Sequence, residues 1–164
     1  MEIAFPFFLF FAEPALSGNP FCFLCENFGM IEETRRSDVM TNRLPEAVGP
    51  YSAYRTAGDL LITSGQLPLD PETNDLKGAT ASEQAAQCLE NLKTILDLND
   101  GTLGDVVKTT VYLDSMSDFA SVNEVYAEYF KEPYPARTAF EVGKLPKDAL
   151  VEIEAIAYLP ASKG

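Results

Sequence analysis

The sequence predicts an α+β fold: a mixed β-sheet with one face covered by two helices, in the order β-β-α-β-α-β-β. Three observations carry this reading. Short β-branched or alternating segments occur early, midway and late in the chain. Two longer segments between them repeat apolar residues at helical spacing. Strand–helix–strand units need crossovers, and crossovers stack helices on a sheet face.

Tyr51 to Thr56 and Leu60 to Thr63 read as strands around the turn signal Ala57-Gly58-Asp59. A polar loop follows, containing Pro68, Asp70-Pro71 and Gly78. Thr80-Ala81-Ser82-Glu83 has the spacing of a capping box, so the first helix starts near Thr80. Ala85, Cys88, Leu89, Leu92, Ile95 and Leu96 form its apolar stripe, which makes Cys88 a small core residue. Gly101 and Gly104 end the segment.

Val106 to Leu113 (VVKTTVYL) is rich in β-branched residues and reads as a strand. The second helix follows Ser115, where Ser115-x-x-Asp118 again has capping-box spacing. Phe119, Val122, Tyr126, Tyr129 and Phe130 are its stripe, read as core packing. In Ala136 to Val142, Thr138, Phe140 and Val142 share one face, while Arg137, Ala139 and Glu141 share the other. In Leu150 to Tyr158, Val151, Ile153, Ala155 and Ala157 form an apolar face, and Glu152 and Glu154 point away from it. By itself this alternation fits a strand with one wet face. The sheet face opposite the helices is expected to mix Arg, Glu and Thr with apolar residues and to associate with other copies. The outer strand pairs read as hairpins.

The chain has 164 residues, 46% apolar and 23% charged, an ordinary globular balance for one domain. Its 25 acids and 12 bases give a net charge of −13, which disfavours nucleic acid and anionic membrane as partners. Six acids and two bases precede Met40, so the part from Met40 onward keeps 19 and 10, a net −9. There is no histidine. Ser–His and Cys–His nucleophile pairs and imidazole-based zinc sites are thereby excluded. Acid–base chemistry falls to carboxylates, Tyr, Lys, Cys or water.

Composition divides the chain near residue 40. Eight of the eleven Phe residues lie at or before position 28, and Ile3 to Ala12 is an unbroken apolar run. Ten residues are too few to span a bilayer as a helix. They suit the core of an export signal, but Glu2 stands where a positive residue belongs and Pro6 interrupts the run. Residues 1–39 are therefore read as a leader, poorly structured or adventitious, and 40–164 as the folded domain. Cys22 and Cys25 form a C-x-x-C without the second pair or strand–turn–helix context that a metal or redox role needs.

Several segments, in order, resemble the RidA family (reactive intermediate deaminase A, YjgF type). They are Gly49-Pro50-Tyr51-Ser52, Thr63-Ser64-Gly65-Gln66-Leu67-Pro68, Val122-Asn123-Glu124-Val125-Tyr126, Pro135-Ala136-Arg137-Thr138, Leu145-Pro146-Lys147 and Val151-Glu152-Ile153-Glu154-Ala155-Ile156-Ala157. The match runs across residues 42–160, and the leader has no counterpart in the pattern. The resemblance implies a chorismate-mutase-like fold and a homotrimer with sites between subunits. It implies hydrolysis of 2-enamine/2-imine acids, such as 2-aminoacrylate/2-iminopropanoate and 2-iminobutanoate, to 2-oxo acids and ammonia. It implies no metal and no organic cofactor, and a cytoplasmic enzyme.

Residue by residue, the resemblance makes Arg137 the grip on the substrate carboxylate, to which a guanidinium can make two parallel bonds. Glu152 is the acid that orients and activates water. Tyr51 is a phenol beside the substrate, Ser64 and Gly65 line the pocket, and Asn123 is a pocket amide. Glu154 is expected to be structural. Ala139 stands where some relatives carry Cys. Two other functions are weighed: a trimeric module that binds small carboxylates without turnover, and a ribonuclease or translation inhibitor, which the charge and the missing histidine oppose.

Overall fold

The computed structural model describes residues 43–160. The predicted leader 1–39, with Cys22 and Cys25, lies outside the described residues, as does Met40 at the start of the predicted domain. The elements are β1 (Tyr54–Ala57), β2 (Leu60–Thr63), α1 (Ala81–Asp97), β3 (Val106–Leu113), α2 (Phe119–Tyr129), β4 (Ala136–Glu141) and β5 (Val151–Tyr158), with short 3-10 turns before β3, α2 and β5. The predicted order is the observed one. The first strand is shorter than expected, because Tyr51 to Ala53 run irregularly before it.

The five strands form one sheet in the order β1-β2-β5-β3-β4. Only β3 and β4 are parallel, joined by the α2 crossover; every other pair is antiparallel. β1 and β2 form a hairpin, and Gly58 takes φ +60° at the first central position of its turn. The expected hairpin of β4 with β5 is not formed. β3 lies between them, because α2 returns the chain parallel to β3 and leaves β4 on the sheet edge.

The core lies between the sheet and the helices. Ala85, Cys88, Leu89, Leu92, Ile95 and Leu96 of α1 are fully buried, as their spacing predicts. They pack with Val122, Tyr126 and Phe130 of the α2 segment and with Val111, Leu113, Val151, Ile153 and Ala157 of the sheet. Each large side chain among them stabilises the fold by about 1.5–3 kcal/mol. The predicted capping box is present: the Glu83 amide donates to Thr80 Oγ1 (3.3 Å), and the Thr80 amide donates to Glu83 Oε2 (3.2 Å). The second expected box is not. Ser115 instead caps the 3-10 turn Met116–Asp118 through the Ser117 amide, and α2 begins one turn later.

β5 alternates buried and half-buried residues as expected, with Val151, Ile153, Ala155 and Ala157 toward the helices. β4 departs from the expected facing. Its register pairs Thr109 with Arg137 and Tyr112 with Phe140. Thr109 is buried on the helix side, so Arg137 and Ala139 face the helices. Thr138 and Phe140 therefore lie on the open face with Glu152, Glu154, Lys108 and Tyr112. That face also exposes Leu60, Ile62 and Tyr158.

Candidate functional site

The sequence-predicted residues fall into two groups. The first gathers where β2 leaves the sheet. Gln66 continues the pairing by exchanging both backbone bonds with Ile153 of β5 (2.8 and 3.1 Å), which lays Gly65 beside Glu152. A Cβ built on Gly65 would lie 2.6 Å from the Glu152 carboxyl carbon, far inside contact distance. The absent side chain of Gly65 leaves room for the Glu152 carboxylate in this position, and a methyl there would push it aside.

Two further links hold this group. Ser64 was expected to offer its hydroxyl to the pocket. It donates instead to the Ser52 carbonyl (2.7 Å), while its amide donates to Ala53 O (2.9 Å). Ser64 thus ties the irregular Tyr51–Ala53 segment to the end of β2. Tyr51 lines a shallow pocket with Gly65, Ala53, Gln66 and Leu67. Its ring is about half exposed, and its hydroxyl accepts from the Val48 amide (3.3 Å). Behind the segment, Asn91 Nδ2 donates to the carbonyls of Leu67 (3.0 Å) and Leu69 (2.9 Å), and Gln87 Nε2 to Asn91 Oδ1 (2.9 Å). These amides on α1 add donors to buried loop carbonyls; Leu67 O also accepts from the Leu69 amide (2.8 Å) and Leu69 O from Gln87 Nε2 (3.3 Å).

Glu152 is half-buried on the open face. Burial, and then the charge of Glu154, hold its carboxyl above the usual glutamate range. No cation lies within ion-pair distance of it among the described residues. A carboxylate held above its usual range is the stronger base once ionised.

The second group lies at the β4 edge, on the helix side. The Arg137 guanidinium sits 4.6 Å from the Tyr126 ring centroid and 5.5 Å from that of Phe119. Tyr126 is fixed in turn by a 2.8 Å hydrogen bond between its hydroxyl and that of buried Thr109. Asn123, Tyr126, Ala127, Tyr134, Pro135 and Arg137 line an open pocket of about 360 Å³. Asn123, one turn before Tyr126, is thus brought to Arg137. With no carboxylate bound to it among the described residues, the fork of Arg137 is free for an anion.

Tyr126 and Phe119 were read as core residues, and both pack against the core. Their ring faces also carry Arg137, which helical spacing alone does not reveal. Tyr134, in the loop before Pro135, is a wall of the same pocket. Cys88, expected in the core, is fully buried with Sγ 3.6 Å from Val151 O; burial pushes its thiol well up. Among the described residues, no three Cys, Asp or Glu side chains cluster as a metal site, and no helix is long and apolar enough to cross a membrane.

Arg137 and Glu152 are not brought together in one chain. They lie on opposite faces of the sheet, on strands separated by β3.

Residues 41–159 match the family model described as "Endoribonuclease L-PSP". A RutC family protein of Pyrococcus horikoshii is 52% identical over 120 residues, covering 73% of this chain and 95% of that one. A protein of Salmonella typhimurium named 2-iminobutanoate/2-iminopropanoate deaminase is 46% identical over 125 residues, covering 73% and 94%. The solved structure of RidA from an Antarctic Psychrobacter superposes with a TM-score of 0.70 at 47% identity, covering 72% of this chain and 95% of that one. By these matches, the chain belongs to the endoribonuclease L-PSP family, the YjgF/RidA/RutC group.

Proposed function

We propose that the protein hydrolyses reactive 2-enamine/2-imine acids, such as 2-aminoacrylate/2-iminopropanoate and 2-iminobutanoate, to 2-oxo acids and ammonia. The reading covers the domain 40–164 and needs no cofactor. The observation that carries it is the pair of complementary half-sites: an unpaired guanidinium on an aromatic platform, and a half-buried carboxylate of raised basicity. The name of the Salmonella relative supports it.

In this mechanism Arg137 anchors the substrate carboxylate through two charge-assisted bonds. Asn123 and Tyr51 orient the substrate, and the enamine tautomerises to the imine. Glu152 takes a proton from water as its oxygen bonds to the imine carbon. The C=N π pair of the protonated imine moves to nitrogen, giving a carbinolamine. The proton on Glu152 then passes to nitrogen, the C–N bond breaks as the carbinol O–H gives its proton back to Glu152 and closes to the 2-oxo group, and the departing ammonia takes that proton from Glu152 as ammonium. Free imines already hydrolyse in water, so positioning supplies much of the gain.

Half-sites on opposite faces need a second copy to meet. The open face, with Leu60, Ile62, Phe140 and Tyr158 exposed around polar residues, has the character of a surface covered by association. We therefore propose a homotrimer with sites between neighbouring copies, working in the cytoplasm where pyridoxal-phosphate enzymes release such substrates.

The test is a coupled assay on the full chain. A pyridoxal-phosphate dehydratase makes 2-iminobutanoate from threonine while semicarbazide traps free imine. Semicarbazone formation should fall when the protein is added and stay unchanged with Arg137→Ala. No fall with folded wild-type protein would overturn the hydrolase reading for this substrate and favour a carboxylate-binding module.

A further inference from the structure

Half of the pocket that holds Arg137 has no part in the proposed reaction. Arg137 takes the substrate carboxylate, Asn123 orients the substrate, and the Tyr126 ring carries the guanidinium. Ala127, Tyr134 and Pro135 complete the lining and present no charge to it. Ala127 lies one helical turn after Asn123, on the same side of α2. Tyr134 stands three residues before Arg137 and is 54% exposed, and Pro135 between them restricts the chain as it enters β4.

The volume points the same way. At about 360 Å³ the pocket has the size of one that takes drug-sized ligands, and a four-carbon imino acid fills only part of it. In the shared site the neighbouring copy brings its Glu152 to the imine carbon, and so closes the mouth over Arg137. The side chain of the substrate is left the apolar end. Ala127 keeps that end open, because its own side chain stops at Cβ.

We infer that Ala127 and Tyr134 are specificity-determining residues: the space between them is the subsite for the substrate's side chain, and it accepts apolar chains longer than the ethyl group of 2-iminobutanoate. The inference rests on the hydrolase reading above and names which imino acids that site takes. Lys131, one turn beyond Ala127, is engaged elsewhere. Its Nζ donates to the Ala127 carbonyl (3.2 Å), at the end of α2 where helix carbonyls lack partners.

The experiment compares wild type, Ala127→Leu and Tyr134→Ala as full-length proteins. Ala127 is exposed on its helix and leucine favours helix, so the first variant keeps the fold. The first readout is free of turnover: calorimetric binding of 2-oxobutanoate, 2-oxopentanoate and 2-oxohexanoate, the stable 2-oxo acids of growing chain. A fully buried methylene is worth about fourfold in affinity, so each added one should tighten binding by about two- to fourfold in this open groove. Ala127→Leu should abolish that gain, and Tyr134→Ala should reduce it. The second readout is hydrolysis of the imines that an amino acid oxidase makes from alanine and from norleucine. The ratio of kcat/KM for the norleucine imine over the alanine imine should fall about tenfold in Ala127→Leu. No gain with chain length in the wild type, or the same gain in folded Ala127→Leu, would overturn the inference, whatever the hydrolysis assay gives. Tighter binding of 2-oxoglutarate than of 2-oxohexanoate would also overturn it, by making Lys131 the partner of a charged side chain. A gain that Ala127→Leu abolishes, in a protein without imine hydrolysis, would support the subsite while overturning the hydrolase reading.

Discussion

Arg137 and Glu152 occupy opposite faces of one sheet, on β4 and β5, with β3 between them. Two strand spacings alone separate them by about 10 Å. In the proposed substrates the carboxylate and the imine carbon are bonded neighbours. One copy therefore cannot grip the first with Arg137 and attack the second with Glu152.

A complementation experiment follows from that separation. Arg137→Ala and Glu152→Gln should each be inactive alone. Co-expressed in equal amounts, they should recover about one quarter of wild-type activity, since random assembly joins an intact Arg137 to an intact Glu152 at one site in four. Mixed oligomers without recovery would contradict a site shared between copies.

Gly65→Ala tests the contact with Glu152. The added methyl would displace the carboxylate, because the space it needs is already filled. A misplacement of this size should lower kcat/KM about 100-fold. Circular dichroism should stay that of the wild type. Full activity would show that the carboxylate position is not critical.

Glu152 links activity to pH and stability in opposite directions. Burial and Glu154 raise its pKa in the folded state. Activity that needs the ionised form should rise with pH through a limb above the usual glutamate range. A raised carboxylate pKa means that the folded state holds the proton more tightly than the unfolded state does. Its contribution to stability is full below the unfolded pKa and is lost as pH rises through the folded one. Glu152→Gln should therefore abolish turnover yet raise Tm at pH 8, with the difference closing in acid. Thermal melts at pH 8 and pH 4 check it.

Asn91→Leu probes the support behind the site. It keeps the approximate volume but strips the amide from the carbonyls of Leu67 and Leu69. The variant should lose about 0.5–1.5 kcal/mol in urea unfolding for each hydrogen bond removed, since both carbonyls keep a second donor. A loss no larger than a surface substitution causes would show that water replaces the amide.

The α1 stripe, the Thr80–Glu83 box and the alternation along β5 were legible because each is local. Their signal sits within one or two turns of helix, or within a few residues of strand. The motifs around Tyr51, Gly65, Asn123, Arg137 and Glu152 were legible as a resemblance, which named residues without arranging them. Ser64 illustrates the limit: its hydroxyl is spent on Ser52, twelve residues back, and no spacing rule reports that bond.

By itself the sequence determined two helices against a mixed sheet, the residues that fill the core, and the side chains with chemistry to offer. Only the tertiary structure decided which strands are neighbours and which face of β4 meets the helices. In Ala136–Glu141 the alternation defines two faces of similar mixed character, so hydrophobicity could not rank them. Pairing with β3 could: once Thr109 stands beside Arg137, a single register turns the arginine toward Tyr126 and leaves Phe140 and Glu152 on the far side. Strand pairing is a long-range choice made by backbone hydrogen bonds, and those carry no mark in the order of the residues.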